Sequence, residues 1–393
     1  MKSIYLIEFY ENVVSGFNTY KNEFESCITR LGHKMNRIVI GAPVQDFRIR
    51  IEKNTTIYEI PYTESQQFDL MPYILRLYIN DSSLNVFLHN FSPSYNIVSL
   101  FREYFPKSKI LYVIHDFIWL SKLNGSIKDF KMAIKKKDES DLIYRVYIDG
   151  VKTFNLVDRV ICLSNDTLNL LVQEYFIDKS KLSYIPNGLN ESFKELSLIE
   201  RKCIRHEFHI EADEKVFLFV GRICIQKGVL DILDAFNLLV QQYTNFRLIF
   251  AGDFPSNFLS YIPHTIRDRI ILLGAVNATT LHKVYSITDV GLIASYYEQC
   301  SYVGIEMKMF SLPVIASDTF GVRCMFDGSN AITYHIEEDR VKTVSNLYHA
   351  IRHFLNLDAV HFHRISMASR ESYTKCYSSE RMRNNYNELL TII

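Results

Sequence analysis

Apolar residues along this chain fall into short runs separated by stretches of helical spacing. In the first half the runs IYLIEF (4–9), RIVIGA (37–42), TIYEIPY (56–62), NVFLHN (85–90), KILYVIHD (109–116) and RVICLSN (159–165) read as strands. Helical spacing lies between several of them, notably Thr19–Leu31 and Asn96–Tyr104. A second series follows: VFLFVGR (216–222), RLIFAGD (247–253), RIILLGA (269–275), DVGLIAS (289–295), PVIASD (313–318) and AITYH (331–335). Near-continuous apolar strands alternating with helices indicate parallel sheets covered on both faces. The expected fold class is therefore α/β, with two Rossmann-like domains. Pro186-Asn187-Gly188 is a strong turn signal and marks the hinge. The expected domains are 1–188, 189–375 and a terminal helix, 376–393, that crosses back to the first domain. Helical patterns at about 341–356 and 378–391 fill the C-terminal part.

Length agrees with this division, since 393 residues exceed one ordinary core of about 150 residues. A hydrophobic content of 48% with 22% charged residues is that of a folded soluble protein. Lys plus Arg equals Asp plus Glu at 44 each, which removes the electrostatic argument for nucleic acid. The seven cysteines are scattered, with no C-x-x-C pair, which argues against a disulfide framework or a zinc site and for a reducing compartment. Met1-Lys2-Ser3 runs straight into the first strand without signal-peptide features, and no apolar run approaches the roughly 20 residues of a bilayer span. The expected location is the cytoplasm. The run Lys128, Lys131, Lys135, Lys136, Lys137 reads either as a solvated helix or as peripheral contact with an anionic membrane face or acceptor.

The segment IASYYEQCSYVGIEMKMFSLPVIASD (293–318) carries the chemistry. Ser301 is placed to cap a helix over about 302–311. Glu298 then lies in the loop ahead of that helix and Glu306 on its second turn. Between them are the free N–H groups of the first turn, which form an anion site. Two glutamates at this spacing are common in unrelated chains. The order strand, loop, Glu298, helix with Glu306, strand is not. After VFLFV, Gly221-Arg222 and Lys227-Gly228 bring two cations to a strand-to-helix loop, where ligands of such sheets bind. Gly16 follows the first strand, where a phosphate-approaching glycine sits or a plain turn forms. His115 ends the strand KILYVIHD and faces the ligand edge, or is a structural histidine satisfied by backbone. Neither G-x-G-x-x-G nor the P-loop pattern occurs, and no D-x-D is present to hold a phosphate-bound metal.

These motifs in this order resemble a retaining glycosyltransferase of the GT-B fold, in the family-4-type group (glycosyl transferases group 1), bacterial subgroup. The resemblance runs from Gly16 through TRLGHK (29–34), IHD (114–116), IPNGLN (185–190), VGRICIQKG (220–228), LIFAGD (248–253) and LLGAV (272–276) to the two glutamates and SLPVIASD. It implies that the two Rossmann-like domains face each other across a cleft, that Glu306 holds the nucleotide ribose, Glu298 the donor-sugar hydroxyls, and Arg222 and Lys227 the diphosphate. It further implies diphosphate contacts from the Tyr302 and Val303 amides, base contact at Val276, and donor-sugar contact from His115 near the reacting carbon. The chain departs at Ser301, where the family commonly has glycine, and at Gly321-Val322-Arg323-Cys324, where G-x-x-E is common. Its first loop has one glycine rather than two.

The implied activity moves a sugar from a nucleotide diphosphate, expected to be UDP, to a hydroxyl of a glycan, lipid-linked saccharide, peptide or protein. Neither metal nor cofactor is expected, and closure about Pro186–Asn190 excludes water. The rival readings are a non-catalytic GT-B partner subunit and a same-fold sugar-nucleotide epimerase or phosphorylase.

Overall fold

The computed structural model describes residues 1–10, 16–61, 71–92 and 94–393, and the chain divides into two compact units, Met1–Gly188 with Ser379–Ile393, and Leu189–Ser378. In the first unit the elements run β1 (Ser3–Phe9), α1 (Gly16–Arg30), β2 (Lys34–Ala42), β3 (Arg48–Glu52), β4 (Thr55–Pro61), α2 (Met71–Arg76), β5 (Asn85–His89), α3 (Tyr95–Tyr104) and β6 (Lys109–Ile114). They continue with α4 (Ile118–Lys122), α5 (Ile127–Lys136), α6 (Leu142–Leu156), β7 (Arg159–Cys162), α7 (Asn165–Gln173) and β8 (Leu182–Tyr184). The strands form one sheet in the order β3-β4-β2-β1-β5-β6-β7-β8, parallel throughout except for β3 against β4. Inner strands such as β1 and β5 are buried on both faces, which is why they read as unbroken apolar runs.

The second unit contains α8 (Leu198–Glu207), β9 (Lys215–Val220), α9 (Val229–Leu239), β10 (Phe246–Ala251), β11 (Ile270–Gly274), α10 (Ala278–Ile287) and β12 (Val290–Ile293). It closes with α11 (Tyr302–Met309), β13 (Val314–Ser317), α12 (Val322–Met325), β14 (Ile332–Tyr334), α13 (Arg340–Leu355) and α14 (Ala359–Ser372). Its six strands are all parallel, in the order β11-β10-β9-β12-β13-β14. Phe217, Phe236, Phe246 and Phe354 meet edge to face or tilted in its core. After a short π-helical turn at Tyr373–Tyr377 comes α15 (Ser379–Ile392), which packs on α1 of the first unit. There the Tyr20 and Tyr386 hydroxyls are 2.7 Å apart, and the Phe24 ring meets Tyr386 edge-on.

The structure departs from the sequence pattern in three places. β3 is an edge strand whose RIRIE alternates charge with apolar residues, so it carries little apolar signal. Its Arg48 and Arg50 both pair with Glu59 of β4. β8 precedes the Pro186-Asn187-Gly188 turn, in a stretch not among the expected strands. Helix α1 begins at Gly16, three residues ahead of the expected start, so Gly16 belongs to its first turn. The loop before it, residues 11–15, and Tyr62 of the fourth expected strand lie outside the described residues. The lysine run forms α5, capped by Ser126 and ended by Lys137 in the left-handed region.

Candidate functional site

Strand order in the second unit reverses between β9 and β12: from β9 the chain builds outward through β10 and β11, and from β12 through β13 and β14. Ligands of open parallel sheets bind beyond the carboxyl ends of the strands at such a reversal. The loop after β9 carries Gly221, Arg222 and Lys227, and the loop after β12 carries Glu298. Lys227 Nζ donates to Glu298 Oε1 at 2.5 Å, and Ser295 Oγ donates to the same oxygen at 2.8 Å. Two charges far apart in sequence thus meet at the switch point. Arg222 lies exposed on the same loop and, among the described residues, makes no hydrogen bond or ion pair to either of them.

Two glycines allow these loops to approach. Gly228 has φ +67°, and a Cβ there would fall 2.1 Å from the Ala294 carbonyl oxygen. Gly321 has φ +74°, and a Cβ there would fall 1.9 Å from the Glu298 carbonyl oxygen. Only glycine accepts both the backbone conformation and the contact. The Glu298 N–H donates to the Phe320 carbonyl at 2.9 Å, so the loops after β12 and β13 lie side by side. Ser317 and Thr319 hydroxyls both donate to the Ser295 carbonyl. Tyr296 is clamped at both ends: its N–H donates to the Gln226 carbonyl and its hydroxyl to buried Asp231, which also receives Arg340. Burial raises the Asp231 carboxyl above its usual range, against the opposing pull of Tyr296 and Arg340.

Helix α11 opens as the spacing predicts. Ser301 is its N-cap, and its hydroxyl accepts from the Gly304 N–H at 3.3 Å. Tyr302 and Val303 form the first turn, half-buried. Glu306, one turn on, accepts from the Tyr285 hydroxyl at 2.6 Å. Burial pushes its carboxyl above the ordinary value, and the Tyr285 donation pulls it back. Tyr285 sits on α10, whose N-cap Asn277 directly follows half-buried Val276. The helix between them therefore couples the loop after β11 to Glu306.

In the first unit, His115 follows β6 at the carboxyl end of the sheet. Its ring stands edge-on to Phe17 and Tyr20 of α1, with centroids at 5.5 and 4.4 Å. Its Nε2 is buried without a hydrogen-bond partner among the described residues, and burial drops the imidazole to about 3, so it is neutral at physiological pH. Gly16 starts α1, the helix that carries Phe17 and Tyr20.

Sequence reasoning found the charged groups and missed their holders. Ser295, Tyr285 and the Tyr296–Asp231–Arg340 chain leave no local signal, because each partner comes from a distant element. The glycine at 321 was visible, but its reason is the close approach of Glu298.

Residues 200–361 match the family model for glycosyl transferases group 1. An uncharacterized glycosyltransferase of Methanocaldococcus jannaschii is 30% identical over 171 residues, covering 42% of this chain and 43% of that protein. The UDP-Gal:alpha-D-GlcNAc-diphosphoundecaprenol alpha-1,3-galactosyltransferase of Escherichia coli is 27% identical over 216 residues, 52% of this chain and 54% of that protein. The chain thus spans about half the length of these curated relatives. Among solved structures, sucrose-phosphate synthase from Thermosynechococcus elongatus superposes with a TM-score of 0.76 at 17% identity, covering 100% of this chain and 99% of that one. Two parallel-sheet units and this superposition define a GT-B fold, and within it residues 200–361 are similar to the glycosyl transferases group 1.

Proposed function

We propose that this protein is a retaining glycosyltransferase that moves a sugar from a UDP-linked donor to an acceptor hydroxyl. The observation that carries the reading is the convergence of Lys227, Glu298, the first turn of α11 and Glu306 at the switch point of the second unit. A nucleotide sugar needs cations and a helix N-terminus for its diphosphate and carboxylates for its hydroxyls, and this set supplies both. Glu306 takes the ribose hydroxyls, Glu298 those of the transferred sugar, and Val276 the base. Lys227, Arg222 and the Tyr302 and Val303 amides neutralise the diphosphate, so the reading invokes no metal or cofactor. The UDP-Gal donor of the Escherichia coli relative supports UDP as the nucleotide.

In the chemical step the bond from the anomeric carbon to the diphosphate oxygen breaks, and a bond to the acceptor oxygen forms on the same face. The acceptor proton passes to the departing diphosphate, which leaves as the nucleoside diphosphate. Lys227 stabilises the charge that develops there, and the gain is largest where water is excluded. Neutral His115 offers a hydrogen bond near the reacting carbon rather than a charge. In this reading Leu189–Ser378 is the donor unit and Met1–Gly188 the acceptor unit, in the cytoplasm. Exposed Lys135, Lys136 and Lys137 of the α5 region provide its contact with an anionic membrane face.

A thermal-shift and turnover panel over UDP-, GDP- and TDP-sugars tests the reading. Release of UDP with a glycoside product is expected. Isomerised nucleotide sugar or sugar phosphate would instead mean an epimerase or phosphorylase. Glu306→Ala and Lys227→Ala should each lose turnover while keeping the fold, and wild-type rates in either would remove the donor-site assignment.

A further inference from the structure

The sheet of the first unit has its own reversal, between β1 and β5. From β1 the strands build out through β2, and from β5 through β6, so the ligand crevice of this unit opens beyond those two strand ends. β5 delivers His89-Asn90 to that point. The Asn90 N–H donates to the Ile7 carbonyl at 3.2 Å, which carries the ladder one residue past the strand. With Ile7 opposite His89, Asn90 comes level with Glu8, and the two-residue alternation of strands sets both on one face. That face looks toward α1, because Glu8 pairs with Lys21 of α1 at 3.3 Å and also with Arg37 of β2. His115 lies on the same face: Val113 comes beside Asn90, and His115 follows two residues on, packed on Phe17 and Tyr20. One strand spacing across and two residues along separate Asn90 and His115 by about 8 Å.

Asn90 is 4% exposed, and among the described residues neither its Oδ1 nor its Nδ2 has a hydrogen-bond partner. Glu8, one strand away, is held by its two cations, and the Nε2 of His115 is unpaired like the Asn90 amide. A buried amide with nothing to bond is costly, and a leucine in its place would carry no such penalty. A partner from outside the chain removes the anomaly. A sugar hydroxyl both donates and accepts, which matches the two ends of a carboxamide. The half-buried Phe17 ring alongside offers an apolar face for the C–H side of such a ring.

We infer that Asn90 is a hydroxyl-binding residue of the first unit, its carboxamide taking a hydroxyl of a sugar whose neighbouring oxygen meets His115. The inference rests on the glycosyl-transfer reading for its ligand class. That hydroxyl belongs to the transferred sugar or to the acceptor, and kinetics separate the two.

The test compares the full-length chain with Asn90→Leu, which keeps side-chain size and removes the amide. The expected result is an unchanged or raised Tm together with a kcat/KM for sugar transfer lower by roughly 10–100-fold. If the hydroxyl is the donor's, hydrolysis of UDP-glucose by water falls equally. If it is the acceptor's, hydrolysis persists and transfer to a p-nitrophenyl glycoside is lost. A lowered Tm would show that the amide is already bonded in the folded protein and would overturn the inference, as would wild-type kcat/KM. Saturation-transfer NMR with methyl α-glucoside needs no turnover. Equal signals in both proteins would sink the Asn90 assignment, even if the wild type turns over no nucleotide sugar and the glycosyl-transfer reading itself fails.

Discussion

Gly321→Ala puts the geometry of the donor site under direct strain. The new Cβ would lie 1.9 Å from the Glu298 carbonyl oxygen, 2.7 Å from its carbon and 3.3 Å from the Gln299 oxygen. All three are backbone atoms, so no side chain can swing aside. An ordinary carbon-to-oxygen approach is about 3.3 Å, so the segment carrying Glu298 must retreat by about 1.4 Å. The residue also sits at φ +74°, which costs an alanine about 1–2 kcal/mol. Adding about 1–3 kcal/mol for overpacking gives a loss of about 2–5 kcal/mol, or roughly 4–20 °C in Tm for a unit of this size. Displacement on the order of 1 Å at a positioning carboxylate costs on the order of 100-fold in rate. Thermal unfolding followed by fluorescence, and UDP-sugar turnover measured well below the lowered Tm, read the two effects. Gly328→Ala is the control, since nothing lies within 4 Å of its Cβ, and it should leave both unchanged. A Gly321→Ala protein with the Tm and kcat/KM of the control would refute the reasoning.

Tyr285→Phe removes the hydroxyl that lowers the Glu306 carboxyl, so the acid limb of kcat/KM should move to higher pH. An unmoved limb would separate Glu306 from donor binding. Burial drops the His89 imidazole to about 3, so the unfolded chain takes up a proton that the native one refuses. Stability from this residue is complete above about pH 6.5 and declines by about 1.4 kcal/mol per pH unit below it, or about 2 kcal/mol by pH 5. His89→Phe should remove that part of the acid sensitivity in urea melts, and an unchanged pH slope would contradict it. Fully buried Lys308 donates to Ser372 and lies over the Phe326 ring, and burial lowers its amine to about 8. The native state resists this charge, so stability rises with pH from about 8 and is complete above 10.5. Lys308→Met should be more stable by up to about 3 kcal/mol at pH 7 and lack that rise. A destabilised Met variant would show that the Ser372 and ring contacts outweigh the burial of charge.

The two strand series were legible because parallel strands buried on both faces must be apolar along their whole length. The same physics hid β3, an edge strand exposed along RIRIE, and β8, only three residues long. Ser301 was readable as a cap because capping is local: a hydroxyl and an N–H three residues on. Tyr285 was not, because its hydroxyl reaches Glu306 only when α10 and α11 pack together. Lys227 and Glu298 were each legible as site residues by position, whereas their ion pair depends on β9 and β12 lying side by side.

By itself, then, the sequence determined the α/β alternation, the two series and the kinds of group available at the strand ends, since these follow from local spacing and chemistry. Tertiary structure decided which of those groups meet. It set Gly321 against the Glu298 backbone, brought the Tyr285 hydroxyl to Glu306, and buried Asn90 at a strand reversal with no amide partner among the described residues. Burial and close approach depend on elements far apart in the chain, and neither is written in the neighbours of a single residue.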